Sequence, residues 1–90
     1  MKHSFLFFVL VGCVDPVSLK QDHEQLTNLL SQAVEQGARE CVPRETALAE
    51  ANESFALLEF EQGDTRRARD HIDIGLSNAR VAVEGSVGCL

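Results

Sequence analysis

Apolar residues recur at steps of three and four along the chain from Asp22, which is the spacing of one helical face. The stripe consists of Leu26, Leu29, Leu30, Ala33, Val34 and Gly37. It predicts an amphipathic helix, in which Gly37 either lets another element approach closely or ends the helix. Pro16 is expected to prevent a helix between Val14 and about Leu19, so this segment is predicted to be a short tether.

A second helix is predicted from Pro43 to about Gln62. Proline fits the first helical turn, where its missing N–H costs nothing, and Glu45 in that turn interacts favourably with the helix dipole. Apolar residues lie on two different sides of this helix: Leu48, Ala51, Phe55 and Leu58 on one, and Ala49, Ala56 and Phe60 on the other. The two stripes indicate a middle helix that packs against a neighbour on each side.

Gly63 and Asp64 predict the end of the second helix and the start of a third, because glycine commonly stops a helix and aspartate commonly caps the next one. So short a connection predicts an antiparallel hairpin. The third helix is predicted from Thr65 to about Glu84. Its expected buried residues are Ala68, Ile72, Gly75, Ala79, Ala82 and Val83. The fold class is therefore all-α, a three-helix arrangement that contains one antiparallel hairpin.

Ile74 and Val81 fall on the side of the third helix opposite to its buried face. They are either a contact for a partner or scattered surface apolar residues, which are common. The same helix begins with a basic cluster, for which a solvated face paired with Glu59 and Glu61 is the simpler interpretation and a phosphate or carboxylate site the alternative. That cluster is Arg66, Arg67 and Arg69.

The N-terminal residues have the layout of a secretory signal. Lys2 supplies a positive charge, and an uninterrupted apolar run from 5 to 11 follows. The run is too short to span a bilayer, which takes about 20 residues. Leu10-Val11-Gly12-Cys13 resembles the lipobox of bacterial lipoproteins. The alternative is a buried first helix of a cytosolic protein.

The lipobox resemblance implies cleavage after Gly12 and acylation of Cys13, with two or three chains that anchor the protein stably. The expected organisation is a signal peptide over 1–12, a lipidated tether over 13–20 and a helical domain over 21–90. Val14 resembles the outer-membrane sorting pattern of Gram-negative lipoproteins. We therefore expect a protein anchored in the cell envelope that faces the periplasm, in the outer membrane.

The stretch from Cys41 to His71 is similar to an uncharacterised helical domain of Gram-negative envelope lipoproteins that often precedes an OmpA-like domain. The resemblance covers about 37–82. The second half also looks like one tetratricopeptide unit, at Ala51, Gly63-Asp64, Ala68 and Ala79. The aromatic positions of that repeat are mostly missing, and a single unit supplies no long concave groove. The OmpA-like half is not in the sequence, so peptidoglycan binding is not carried over.

The chain is acidic, with 8 Lys+Arg against 14 Asp+Glu and a formal charge of −6. If Lys2 is lost with the signal, 7 against 14 leaves −7. Such a body repels nucleic acid and anionic head groups, so we expect no nucleic-acid partner and a membrane contact only through the lipid anchor.

Cys41 and Cys89 remain once Cys13 is assigned to the lipid, and the envelope permits disulfides. One lies just before the second helix and the other just after the third. The open ends of an antiparallel hairpin meet, so we predict a Cys41–Cys89 disulfide; the alternative is two free thiols on a flexible end.

No catalytic constellation is recognisable. His23 and His71 each lack a neighbour at metal-ligand spacing, and the acidic residues are spread along helix faces. We expect no enzyme activity, cofactor, metal or small-molecule substrate. The leading hypothesis is a non-enzymatic module that binds an envelope protein or helps to assemble an envelope complex. The alternatives are a structural or spacer lipoprotein that self-associates and a small-ligand-binding periplasmic protein.

Overall fold

The computed structural model describes residues 15–90, which form four helices and no strand. The helices are α1 (Pro16–Glu35), α2 (Ala38–Cys41), α3 (Pro43–Gln62) and α4 (Thr65–Gly85). Three are long and α2 is a single turn that the sequence pattern did not predict. The all-α class is confirmed, and the three long helices agree with the predicted three-helix arrangement.

Helix α1 begins six residues earlier than predicted, at Pro16 rather than Asp22. Asp15 is its N-cap, and one of its carboxylate oxygens accepts a hydrogen bond from the backbone N–H of Val17 at 3.0 Å. Proline is the first helical residue, where it has no hydrogen bond to lose. Leu19 is fully buried. The prediction that Pro16 breaks the helix was therefore wrong, and 16–20 belong to the packed domain.

Gly37 both ends the first helix and permits a close contact. Its φ is +86°, in the left-handed region that favours glycine. A Cβ at this position would lie 2.8 Å from the side chain of Leu90, which covers the glycine from the C-terminal tail. Both roles proposed for Gly37 from the sequence therefore apply.

Helices α3 and α4 form the predicted antiparallel hairpin. Gly63 has a φ of +78°, and the N–H groups of Gly63 and Asp64 donate to the carbonyls of Phe60 and Glu59, which is a Schellman motif. The Asp64 carboxylate then caps α4 by accepting from the N–H of Arg67 at 3.1 Å. The turn is thus fixed by glycine and aspartate in the roles predicted for them.

The core lies where α1 packs against both helices of the hairpin. Its members are Leu19, Leu26, Leu30, Ala49, Ala56, Ala68, Ile72, Leu76 and Ala79. On α4 the predicted buried residues are buried, except that Val83 is only half-buried. The contribution of α3 consists of small side chains, and this allows the neighbouring helices to approach it closely.

Only one of the two apolar stripes of α3 is packed, so the prediction that both are covered was wrong for the other. The stripe with Ala49 and Ala56 is buried, and Phe60 packs at its edge. The other stripe is not: Leu48 is half-buried, Ala51 is exposed, and Phe55 and Leu58 are 48% and 54% exposed. Both neighbours of α3 pack over the same narrow alanine side of the helix, so the large apolar residues beside it are left uncovered.

The open end of the hairpin is closed by a disulfide. Cys41, at the end of α2, is bonded to Cys89 in the C-terminal tail, with a Cα–Cα distance of 6.3 Å. The tail is also held by Gln36, whose side-chain amide donates to the Val83 carbonyl and to the Ser86 hydroxyl, each at 2.9 Å. The predicted Cys41–Cys89 pair is therefore at disulfide distance.

Candidate functional site

The most distinctive surface of the described residues is an apolar strip on the side of the α3–α4 hairpin that α1 does not cover. Four large side chains on it are about half exposed: Phe55, Leu58, Ile74 and Val81. With the smaller or less exposed residues beside them they form what we call the hairpin stripe, defined as Leu48, Ala51, Phe55, Leu58, Ile74 and Val81.

The two helices contribute to one continuous stripe because of their register. A Cβ on Gly75 would lie 3.6 Å from the Cβ of Asn52, and one on Gly85 would lie 2.9 Å from the side chain of Val42. These contacts place the open ends of the two helices level with each other. The ring of Phe55 lies 5.3 Å from the ring of His71, which links α3 to α4 along the stripe.

Charged residues flank the hairpin stripe towards its ends. Arg44 on α3 and Glu84 on α4 lie at the open end of the hairpin, while Glu61 on α3 and Arg67 on α4 lie at the turn end, where Asp70 follows Arg67 by one turn. The outermost charges of each helix are therefore opposite in sign, and the middle of the stripe carries no charge. The Arg44 side chain is 77% exposed and lies 3.0 Å from Glu45, and that of Arg67 is 70% exposed and lies 3.8 Å from Glu59, so another molecule would share or replace these exposed pairings.

The predicted partner-contact residues Ile74 and Val81 are on this surface, 46% and 47% exposed. Phe55 and Leu58 were missed because both were assigned to the core. The sequence did contain a signal for them. Ala49 and Ala56 are spaced seven apart on the neighbouring side of α3, which is enough to form a close-packed helix contact without the larger residues.

Two histidines, one on α1 and one on α4, contact glutamates of α3. The sequence pattern did not predict these contacts. Nδ1 of His71 is 2.6 Å from Oε1 of Glu59, and both side chains are largely buried. On the other side of α3, Nε2 of His23 is 3.5 Å from Oε2 of Glu53 and has no hydrogen-bond partner. Each pair thus joins two helices through one imidazole and one carboxylate.

The histidine pairs make contacts between helices. Within residues 15–90 no group of three or more His, Cys, Asp or Glu side chains is arranged to hold a metal ion. His23 packs its ring edge against Phe60 with centroids 5.7 Å apart. These surroundings give each imidazole one carboxylate and one aromatic neighbour, which is suited to fixing helix positions.

Two of the three arginines at the start of α4, Arg67 and Arg69, lie beside carboxylates. Arg69 contacts Asp22 of α1 at 2.9 Å and Asp73 one turn along at 2.8 Å. Burial alone would lower the pKa of Arg69, but its hydrogen bonds and charge attraction to the two aspartates outweigh that effect and raise the pKa above its ordinary value. Arg67 lies 3.8 Å from Glu59. This supports the simpler interpretation, pairing with carboxylates, although the partners of Arg69 differ from those expected.

An open groove of about 350 Å³ lies on the α1 side of the domain. Two of its lining residues are joined, since Arg39 donates two hydrogen bonds, at 3.2 and 2.7 Å, to Glu50. The remaining polar wall consists of carboxylates and hydroxyls. The groove is lined by Thr27, Leu30, Ser31, Val34, Glu35, Arg39, Glu50 and Glu53.

The predicted lipidation site, Cys13, and the signal peptide lie outside the described residues. Within 15–90, none of the helices combines the length and apolar character needed to cross a bilayer. Comparison with known protein families, with curated proteins and with solved structures finds no match for this chain. The resemblance to envelope lipoproteins therefore stays a prediction from the sequence.

Proposed function

We propose that this protein is a lipid-anchored, non-enzymatic interaction module of the bacterial cell envelope, which binds a protein partner through the hairpin stripe. The observation that carries the proposal is the exposure of four large apolar side chains, Phe55, Leu58, Ile74 and Val81, on one side of the hairpin. Single apolar residues are common on protein surfaces, but the largest contiguous apolar patch of a monomer is often functional.

The cysteines support a location in the periplasm. A disulfide between Cys41 and Cys89 is stable in the periplasm and rare in the cytosol. The lipobox-like sequence that ends at Cys13 supports a lipid anchor on the same side of the membrane. Asp15 caps α1 two residues after this cysteine, so an anchor on Cys13 would hold the domain close to the membrane surface.

The fold suits the presentation of a fixed surface. Helix α1 covers the opposite side of the hairpin, and the disulfide joins α2 to the C-terminal tail that follows α4. The stripe is therefore displayed on regular helices, which hold contact residues more accurately than loops do. In this proposal the protein acts by binding, and its own residues perform no chemistry on the partner.

The anchor is tested by metabolic labelling of the full-length protein with a palmitate analogue. We expect labelling of the wild type, and loss of labelling together with accumulation of the precursor in Cys13→Ala. Equal labelling of Cys13→Ala would contradict a lipid on this residue.

The binding surface is tested by comparing Leu58→Glu with Leu57→Glu. The two leucines are neighbours on α3 and are 54% and 48% exposed, but Leu57 faces the α1 side near Lys20 and Phe60. We expect cross-linked partner complexes in the envelope to be lost in Leu58→Glu and retained in Leu57→Glu. Equal complexes in both variants would show that the partner binds elsewhere.

A further inference from the structure

We propose that the partner at the hairpin stripe is a second copy of this chain. The two copies would be related by a two-fold axis parallel to the helices, with α3 of each copy on α4 of the other. The stripe itself and its flanking charges carry the contact, while the choice of a parallel axis rests on the lipid anchor of the proposed function. A two-fold contact uses the same surface twice, so the surface must complement itself.

The charges at the ends of the stripe meet this requirement. When α3 of one copy lies on α4 of the other in the parallel arrangement, Arg44 faces Glu84 at the open end, and Glu61 faces Arg67 at the turn end. Each contact occurs twice because of the symmetry. Between them, the uncharged middle parts of the two stripes face each other. These four positions supply four attractive contacts, in which Arg44 and Arg67 would share or exchange their own partners Glu45 and Glu59. Asp70, one turn from Arg67, also lies at the turn end and reduces the attraction there.

The membrane anchor selects between the two possible axes. An axis perpendicular to the helices would also pair opposite charges, Arg44 with Glu61 and Glu84 with Arg67. It would, however, make the two copies antiparallel. Asp15 would then lie at opposite ends of the pair, and anchors on Cys13 could not enter one membrane surface. A parallel axis places both N-termini at the same end.

The size of the stripe indicates a weak contact that membrane confinement strengthens. Four side chains that are about half exposed supply a few hundred Å² of apolar surface, within the range of the largest patch on a monomer. A stable interface commonly buries about 800 Å² from each partner. Two anchored copies share one surface, which raises their effective concentration as a linker would. We therefore expect pairs in the membrane and mainly monomers in dilute solution.

Cross-linking in intact cells tests the partner. The full-length protein carries the photoreactive residue benzoylphenylalanine in place of Phe55, or in place of Leu57 as the matched control. We expect an adduct of two copies from position 55, identified by mass spectrometry, and at least a several-fold lower yield from position 57. Adducts from position 55 with a different protein alone would overturn self-association and retain the docking function. No specific adduct from position 55 would overturn both.

A charge-exchange experiment tests the arrangement. Arg44→Glu alone places two carboxylates together at the open end of a parallel pair, and Glu84→Arg alone places two guanidinium groups together there. A mixed pair of the two variants restores attraction between opposite charges. We expect differently tagged full-length variants to form mixed cross-linked pairs several-fold more often than either like pair. Equal yields of mixed and like pairs would overturn the parallel arrangement. An ion pair between Arg44 and Glu84 of the same copy would not favour mixed pairs, and neither would the perpendicular axis. Mixed pairs formed without palmitate labelling would refute the anchor and not the contact.

Discussion

Removal of the Cys41–Cys89 bond should cost a large part of the domain's stability. The bonded residues are 48 apart in sequence, and the loop that the bond closes contains the whole of α3 and α4. On the chain-entropy account, a loop of this length restricts the unfolded chain by an amount equivalent to about 4 kcal/mol at 25 °C. Small domains have only about 5–15 kcal/mol in total, so the expected loss is severe.

The perturbation is Cys41→Ala with Cys89→Ala, made in a Cys13→Ala background so that no third thiol can exchange. We expect the melting temperature, followed by the helical circular dichroism signal, to fall by roughly 15–30 °C. Reduction of the same background protein that retains both cysteines should give nearly the same shift. This control separates the loss of the bond from any effect of the alanine side chains.

The reasoning would be refuted by a fall of only a few degrees in both the variant and the reduced protein. The tail would then be ordered without the covalent tie, through the hydrogen bonds of Gln36 to Val83 and Ser86. A large fall in the variant with no fall on reduction would instead assign the effect to side-chain packing around the cysteines. Either result would show that loop closure is not the main contribution of the bond.

Three further changes should alter stability by amounts measurable in urea unfolding. Gly75→Ala places a Cβ 2.7 Å from Leu26 and should cost about 1–3 kcal/mol; no loss would mean that the α1–α4 contact relaxes freely. Asp64→Ala should cost about 1 kcal/mol, whereas Asp64→Asn, which can still cap α4, should cost little. His71→Ala should cost roughly 1 kcal/mol more than His23→Ala, because only His71 is hydrogen-bonded to its glutamate; equal costs would contradict this difference.

The features predicted correctly from the sequence are those set by local chemistry. Pro43 can begin a helix, Gly63 can adopt a positive φ, and Asp64 can cap the helix that follows, whatever lies around them. The disulfide follows from these local features, because the hairpin returns Cys89 to the level of Cys41. The prediction that Pro16 breaks the helix was wrong for a related reason. Proline is compatible with the start of a helix as well as with its end, and the capping by Asp15 makes Pro16 a helix start.

The features that were missed depend on which sides of the helices face each other. Periodicity shows that α3 has two apolar stripes, but it does not show that α1 and α4 both pack over the alanine side. The histidine contacts were equally hidden, since His71 meets Glu59 only after the hairpin forms, and His23 meets Glu53 only after α1 docks. These are tertiary facts with no signature in local spacing.

The exposure of Phe55 and Leu58 calls for an explanation beyond the folding of one copy. Full burial of a large apolar side chain contributes about 1.5–3 kcal/mol, so a small domain that leaves two such residues half exposed forgoes stability that it could use. The disulfide offsets this loss by restricting the unfolded chain rather than by enlarging the core. A covalent tie in place of core burial leaves apolar side chains available for an intermolecular contact. The same residues would complete their burial when a partner covers the hairpin stripe, and that coverage is what the cross-linking experiment at Phe55 measures.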